Sequence, residues 1–315
     1  MRRTLFITSS RIGDSVITTG ILSELIAESD AITIVASPLN HRLFAAVPRL
    51  ERLIVLRKYH ASLHWIKLWS MVVFFRWDRV VDCRGSALGW FLWARQRLVH
   101  RQGRGIDAKV AQLGAMIGRE ESPPLPQLWL TETAAADAAR RMVGDRFLAV
   151  APTANWLGKQ WPMERYIQLL QRVTAAGGVL AGYRIAVFAA PNERDRLKTL
   201  WQAFAPAMIV DVTGESDLQM VAACLARCDY FIGNDSGLMH MAAALGVRTL
   251  GLFGPSDDRV YAPAGVAARL VRTVESNDEL HQRLRDSGAL DLMRSLSVEQ
   301  VETALSKLVR DFPVG

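Results

Sequence analysis

A few loops in this 315-residue sequence hold the side chains best suited to chemistry. The first is Ser9-Ser10-Arg11-Ile12-Gly13-Asp14, just after an apolar run. Gly13 permits a tight turn, and Asp14 stands at or near the start of the next helix. Asp14 has two readings: an N-cap, or a carboxylate at a strand tip, placed to take a proton from an attacking hydroxyl. The second loop, Ala151 to Pro162, carries Thr153, Asn155 and Lys159 ahead of a proline that starts a helix. A hydroxyl, an amide and an ammonium together suit a phosphate cradle, with an ordinary solvated loop as the plainer alternative. Trp156 and Trp161 lie in the same loop, either to stack on a ligand or to fill core gaps.

The third segment runs Tyr230-Phe231-Ile232-Gly233-Asn234-Asp235-Ser236-Gly237-Leu238-Met239-His240. A buried strand passes through a polar, Gly-flanked turn directly into an Ala-rich helix. Backbone N–H groups and the positive dipole end at such a helix start favour a phosphate. Asp235 is either a cap for this helix or an acceptor for sugar hydroxyls, and His240 lies one turn in on the side of Ser236 and Gly237. Another loop, Leu252 to Asp258, closes the following strand, but its two adjacent acids are a weak metal signal. Glu28-Ser29-Asp30 and Glu215-Ser216-Asp217 have carboxylates two apart, yet neither follows a strand as a metal-binding sugar-nucleotide motif should. Cys83, Cys224 and Cys228 fall in apolar patterns and read as small buried hydrophobes. No G-x-G-x-x-G occurs, which counts against a dinucleotide enzyme.

These loops need strands and helices to hold them. Strand candidates are Thr4–Thr8, Ile32–Ser37, Arg52–Leu56 and Arg79–Asp82, then Phe147–Ala151, Ile185–Ala189, Met208–Val212, Tyr230–Gly233 and Thr249–Phe253. Helical patterns lie near 16–28, 61–76 and 86–97, and again near 162–176, 193–204, 217–227, 236–245 and 297–310. This alternation predicts parallel sheets covered on both faces, with ligands at the carboxyl ends of strands. Ser122-Pro123-Pro124-Leu125-Pro126 marks an irregular connection, and an Ala-rich helix over Thr133–Met142 leads out of it.

Charge is unevenly spread. Residues 1–145 hold 20 Lys and Arg against 13 Asp and Glu, while residues 146–315 hold 18 of each. The first half is therefore the part expected to meet an anionic partner. The basic residues accompany no nucleic-acid recognition motif, so nucleic acid is not expected. No stretch approaches the roughly 20 apolar residues that span a bilayer. Arg11 and Asp14 interrupt the N-terminal apolar run too soon for an export signal. A cytoplasmic protein is expected. Five tryptophans (Trp65, Trp69, Trp77, Trp90 and Trp93), together with Met71–Phe75, form either ordinary core packing or a surface that touches lipid.

Arg11-Ile12-Gly13-Asp14, Lys159-Gln160-Trp161-Pro162 and the stretch FIGNDSGLMHMAAALGVRTLGLFGPSD (Phe231 to Asp257) make the chain resemble the ADP-heptose:lipopolysaccharide heptosyltransferase family, glycosyltransferase family 9. The resemblance covers most of the chain. It implies an α/β protein of the GT-B fold, two Rossmann-like parallel-sheet domains facing a central cleft. Residues 1–145 would bind the acceptor and 146–315 the nucleotide-sugar donor, with the final helix, about 297–310, a candidate to pack back on the first domain. It implies an inverting enzyme with Asp14 as catalytic base and Lys159 neutralising the leaving diphosphate. Gly13, Thr153, Lys159, Asp235, Ser236, Gly237 and His240 would serve the donor, Asp235 by holding its sugar. No metal and no cofactor are implied. The acceptor would be the anionic inner core of a lipid-linked saccharide, and Arg57, Lys58, Arg84, Arg101 and Arg104 are candidates to bind it. Such a reaction belongs on the inner face of the inner membrane.

Two positions depart from the family pattern. Where members place a ribose-gripping carboxylate early in the helix near 217–227, this chain has Leu218-Gln219-Met220, so Gln219 becomes the candidate. Where members have a proline shortly after the Gly-Asp pair, this chain has Thr18-Thr19-Gly20. Alternative readings are the same fold with another nucleotide-sugar donor, or a non-catalytic saccharide-binding relative. The joint presence of Asp14, Lys159 and Asp235 argues against the last.

Overall fold

Leu5, Phe6 and Ile7 have no exposed surface, as befits a parallel strand covered on both faces. They lie in β1 (Arg3–Ile7), the middle strand of the first sheet in a computed structural model that describes residues 1–58, 63–101 and 108–314. The chain divides into two compact units, Met1–Thr131 and Glu132–Gly315. The Ala-rich helix therefore goes with the second unit.

In the first unit β1 is followed by α1 (Ile12–Glu28), β2 (Ala31–Ala36), β3 (Leu50–Val55), α2 (Leu63–Val72), β4 (Trp77–Asp82), β5 (Ala94–Val99) and α3 (Lys109–Gly114). The sheet order is β3-β2-β1-β4-β5, and every pairing is parallel. Its core joins Leu5, Ile7, Val35, Ile54 and Val80 from the strands to Leu68 and Val72 from α2. α1 begins at Ile12, about one turn earlier than expected, and runs unbroken through Thr18-Thr19-Gly20. The reason lies in the proline-rich segment. A Cβ at Gly20 would collide with the Pro124 carbonyl oxygen, and Thr19 Oγ1 accepts the Gln127 N–H at 3.0 Å. Small and hydroxyl residues thus let the connection lie against α1.

The second unit contains α4 (Glu132–Arg141), β6 (Phe147–Ala151), α5 (Met163–Thr174), β7 (Arg184–Val187), α6 (Lys198–Ala203), β8 (Ile209–Asp211) and α7 (Leu218–Leu225). It continues with β9 (Tyr230–Asn234), α8 (Gly237–Ala244), β10 (Arg248–Phe253), α9 (Asp258–Tyr261), β11 (Ala268–Arg272), α10 (Asn277–Ser287) and α11 (Val298–Asp311). The order β11-β10-β9-β6-β7-β8 is again all parallel. In both sheets the strand order reverses beside the first strand, between β1 and β4 and between β6 and β9. Crevices at such reversals are where open α/β sheets bind ligands.

Two expectations need correction. The helix foreseen near 86–97 is a short turn, Leu88–Phe91, followed by strand β5. An edge strand tolerates polar residues such as Arg95 and Gln96, so its pattern lacks the apolar run of a central strand. β11 gives no clear strand signal for the same reason, although α10 carries a legible capping box between Ser276 and Glu279. The last helix adds Val298, Val301, Leu305 and Leu308 to the second unit's core, beside Trp161, Tyr166 and Leu169.

Candidate active site

β6 and β9 end side by side at the reversal point of the second sheet, and their loops carry the predicted donor residues other than Gly13 and Gln219. Lys159, in a short helical turn, donates from Nζ to Asp235 Oδ2 at 2.6 Å. Asp235 is 8% exposed, and His240 Nε2 approaches its Oδ1 at 3.9 Å. Asp235 therefore does not cap α8. The N-cap is Ser236, whose Oγ is buried with no hydrogen-bond partner among the described residues. Gly237 is the first helical residue, so the free N–H groups of α8 open beside the Lys159–Asp235 pair. A cation, a helix N-terminus and an unpaired hydroxyl together suit an anionic group such as a phosphate.

The supports of this pair were only partly legible in the sequence. Asn234 is fully buried at the end of β9. Its Oδ1 accepts the Trp161 N–H at 3.0 Å and the Tyr166 hydroxyl at 3.1 Å, while its Nδ2 donates to the Pro152 carbonyl at 2.9 Å. One side chain thus ties β9 to both ends of the Lys159 loop. Trp161 itself is core, 1% exposed and edge-on to Tyr166 at 4.9 Å. Trp156 lies across Gly158, where a Cβ would sit 2.6 Å from the indole. Thr153 is buried and donates to Glu193 Oε2 at 2.8 Å, a partner that the sequence did not reveal. Gln219 is 2% exposed in the first turn of α7, and its N–H is capped by Asp217 at 2.9 Å. Asp257 caps α9 and Asp258 pairs with Arg272, so both acids are occupied structurally. The three cysteines are free and buried, as their apolar settings suggested.

In the first unit, Asp14 is not the N-cap. Arg11 holds that place, and Asp14 sits half-buried in the first turn of α1, with Gly13 helical beside it rather than in a turn. The loop ahead is pinned: Ser15 Oγ donates to the Ser9 carbonyl at 2.8 Å, Asn40 Nδ2 to the same carbonyl at 2.9 Å, and Ser37 Oγ to Ser10 at 3.0 Å. Arg84, after β4, donates from Nε to the Thr8 carbonyl at 2.7 Å, which brings it to the end of β1. Burial lowers its pKa, against the pull of Asp82. Fully buried Asp82 accepts the Arg84 and Ser86 N–H groups at 2.9 and 2.8 Å. Burial nevertheless raises its pKa, outweighing those bonds.

Lys109, which the sequence did not single out, joins this end of the sheet. Its Nζ lies 3.0 Å from His100 Nε2. Burial lowers the Lys109 pKa, and the Asp14 carboxylate is near enough to oppose that shift. The His100 pKa is lowered by burial and then by Lys109. Arg57 and Lys58 are exposed after β3, and Arg101 is exposed after β5. In a parallel sheet these all stand on the carboxyl edge that carries Asp14. Arg104 lies outside the described residues.

Two parallel-sheet α/β domains, each with polar loops at its reversal point, define the GT-B class of proteins. The comparisons specify which. Residues 84–287 match glycosyltransferase family 9 (heptosyltransferase), and the chain belongs to that family. Lipooligosaccharide heptosyltransferase 2 of Haemophilus influenzae is 24% identical over 176 residues, 53% of this chain and 49% of that protein. The chain thus spans about half the length of that curated relative. A glycosyltransferase family 9 structure from Veillonella parvula superposes with a TM-score of 0.80 at 20% identity, covering 99% of this chain and 98% of that one. The Escherichia coli heptosyltransferase WaaC with ADP gives 0.73 at 17% identity, covering 97% and 99%. Among the described residues no helix is long and apolar enough to cross a membrane.

Proposed function

We propose that this protein is an inverting glycosyltransferase that moves a heptosyl group from ADP-heptose to the inner core of lipopolysaccharide. The observation that carries the reading is the Lys159–Asp235 pair beside the N-terminus of α8, at the reversal point of the second sheet. A diphosphate seated on the α8 N–H groups meets the Lys159 ammonium, and Ser236 Oγ and His240 stand within the same turn. Asp235 then accepts hydrogen bonds from sugar hydroxyls. As the glycosidic bond to the nucleotide breaks, Lys159 and the helix dipole stabilise the charge that develops on the leaving diphosphate. No metal is required for that step.

Acceptor activation falls to the first domain. Asp14 takes the proton of the acceptor hydroxyl as it attacks the anomeric carbon from the face opposite the leaving group, which inverts the configuration. Arg84, Arg57, Lys58 and Arg101 share the carboxyl edge with Asp14 and suit the phosphates and carboxylates of a lipid-linked core saccharide. Such an acceptor places the reaction at the cytoplasmic face of a membrane. The decisive experiment is Asp14→Asn, assayed with ADP-heptose and a purified core acceptor. Turnover should fall by about 10²–10⁴-fold, with donor affinity nearly unchanged. Near-normal turnover would remove Asp14 as the base.

A second donor is favoured by one observation, the buried Gln219 at the start of α7 in place of a carboxylate. Thermal-shift titrations with ADP-, UDP- and GDP-sugars separate the two readings. Stabilisation by ADP-heptose alone supports the first.

A further inference from the structure

Helix α2 has two apolar faces. His64, Leu68 and Val72 point into the core, but Ile66 is 64% exposed and Trp69 40% exposed. The turn after β4 continues this outer face with Trp90, Phe91 and Trp93, each more than 60% exposed. Trp69 Nε1 donates to the Phe91 carbonyl at 3.1 Å, so the helix and the turn form one surface. Phe74, just beyond α2, is 91% exposed. Of the five clustered tryptophans, Trp77 is buried and Trp65 half-buried; the other three face outward. Core packing therefore accounts for only part of the cluster.

The segment that carries this surface is strongly basic. Residues 63–101 hold seven Lys and Arg against two Asp, and one of the two, Asp82, is fully buried. Arg76 stacks on Trp93 at 5.3 Å and Arg97 on Trp90 at 5.9 Å, which places guanidinium groups against the exposed indoles. Lys67 is exposed on α2, and Arg95 is highly exposed despite a 3.7 Å contact with Asp78. Indoles with cations at their faces suit the headgroup boundary of a bilayer, where an apolar ring and a polar edge are both satisfied. Surrounding Lys and Arg favour anionic lipid.

We infer that the outer face of α2 and the turn at Trp90–Trp93 dock this protein onto an anionic lipid bilayer. The inference rests on this surface alone and stands whether or not the glycosyl-transfer reading holds. The test is co-sedimentation of the full chain with phosphatidylcholine vesicles, with and without phosphatidylglycerol, alongside Trp90→Ser/Phe91→Ser/Trp93→Ser. The wild type should bind the anionic vesicles, more weakly at high salt, with a blue shift in tryptophan emission. The triple variant should lose at least about tenfold in vesicle affinity while keeping its thermal unfolding profile. A second variant, Lys67→Gln/Arg76→Gln/Arg95→Gln, keeps the aromatic side chains and should lose the preference for anionic lipid. No binding by the wild type, or unchanged binding by a folded triple variant, would overturn the inference. So would a concentration-dependent dimer that the triple variant abolishes without any change in vesicle binding, because the face would then belong to a second copy.

Discussion

Lys159 and Asp235 are 76 positions apart in sequence and 2.6 Å apart in space. The sequence suggests separate tasks for them, phosphate for one and sugar for the other. Their contact makes those tasks interdependent, because Asp235 also fixes where the ammonium sits. Lys159→Ala is expected to lower kcat by about 10²–10³-fold, the scale for losing one group that stabilises developing negative charge. Asp235→Ala should chiefly weaken the donor, measured as its Kd by titration calorimetry. The double variant should fall short of the summed single losses in kcat/KM, since residues in direct contact couple. Strict additivity in steady-state kinetics would argue that the two side chains act apart.

At the level of elements, the site depends on how the β6 loop is fastened to β9. Asn234 makes that connection through three hydrogen bonds, fully buried. Asn234→Ala leaves the Trp161 N–H, the Tyr166 hydroxyl and the Pro152 carbonyl without their partner. A loss of at least about 1–3 kcal/mol is expected, the penalty range for one orphaned buried polar group, measurable by urea unfolding. Gly158→Ala tests the same loop more gently. The new Cβ would meet the Trp156 indole, so the Lys159 turn must shift and the donor KM should rise with little change in unfolding midpoint. An unchanged KM would mean that the loop is not held by that contact.

Across the whole molecule, the unit boundary sharpens the charge asymmetry. Met1–Thr131 holds 18 Lys and Arg against 10 Asp and Glu, and Glu132–Gly315 holds 20 against 21. An anionic acceptor handled by the first unit should therefore be more sensitive to salt than a donor held mainly by one lysine and a helix end. Raising ionic strength from about 0.05 to 0.3 M shortens the Debye length from about 14 to about 6 Å, still longer than a contact ion pair but short enough to screen the longer-range field. The acceptor KM should rise several-fold while the donor KM changes little. Equal sensitivity of both would count against this division between the units.

Much of this architecture was legible in the sequence because its signals are local. Central strands such as Phe147–Ala151 are continuous apolar runs, and the turn after Gly233 leads directly into an Ala-rich helix. The loops bearing Asp14, Lys159 and Asp235 could thus be placed at strand ends from neighbouring residues alone. What the tertiary structure decided depends on partners far along the chain. The edge strands β5 and β11 carry too few apolar residues to announce themselves, since one side of each lacks a neighbouring strand. Asn234, Asn40, Glu193 and Lys109 gain their roles only when distant strands bring their partners within hydrogen-bonding or charge range. The outward tryptophans of α2 and the Trp90–Trp93 turn have the same residue types as a core. Only folding, by giving the inner face to Leu68 and Val72, settles which aromatic rings stay outside.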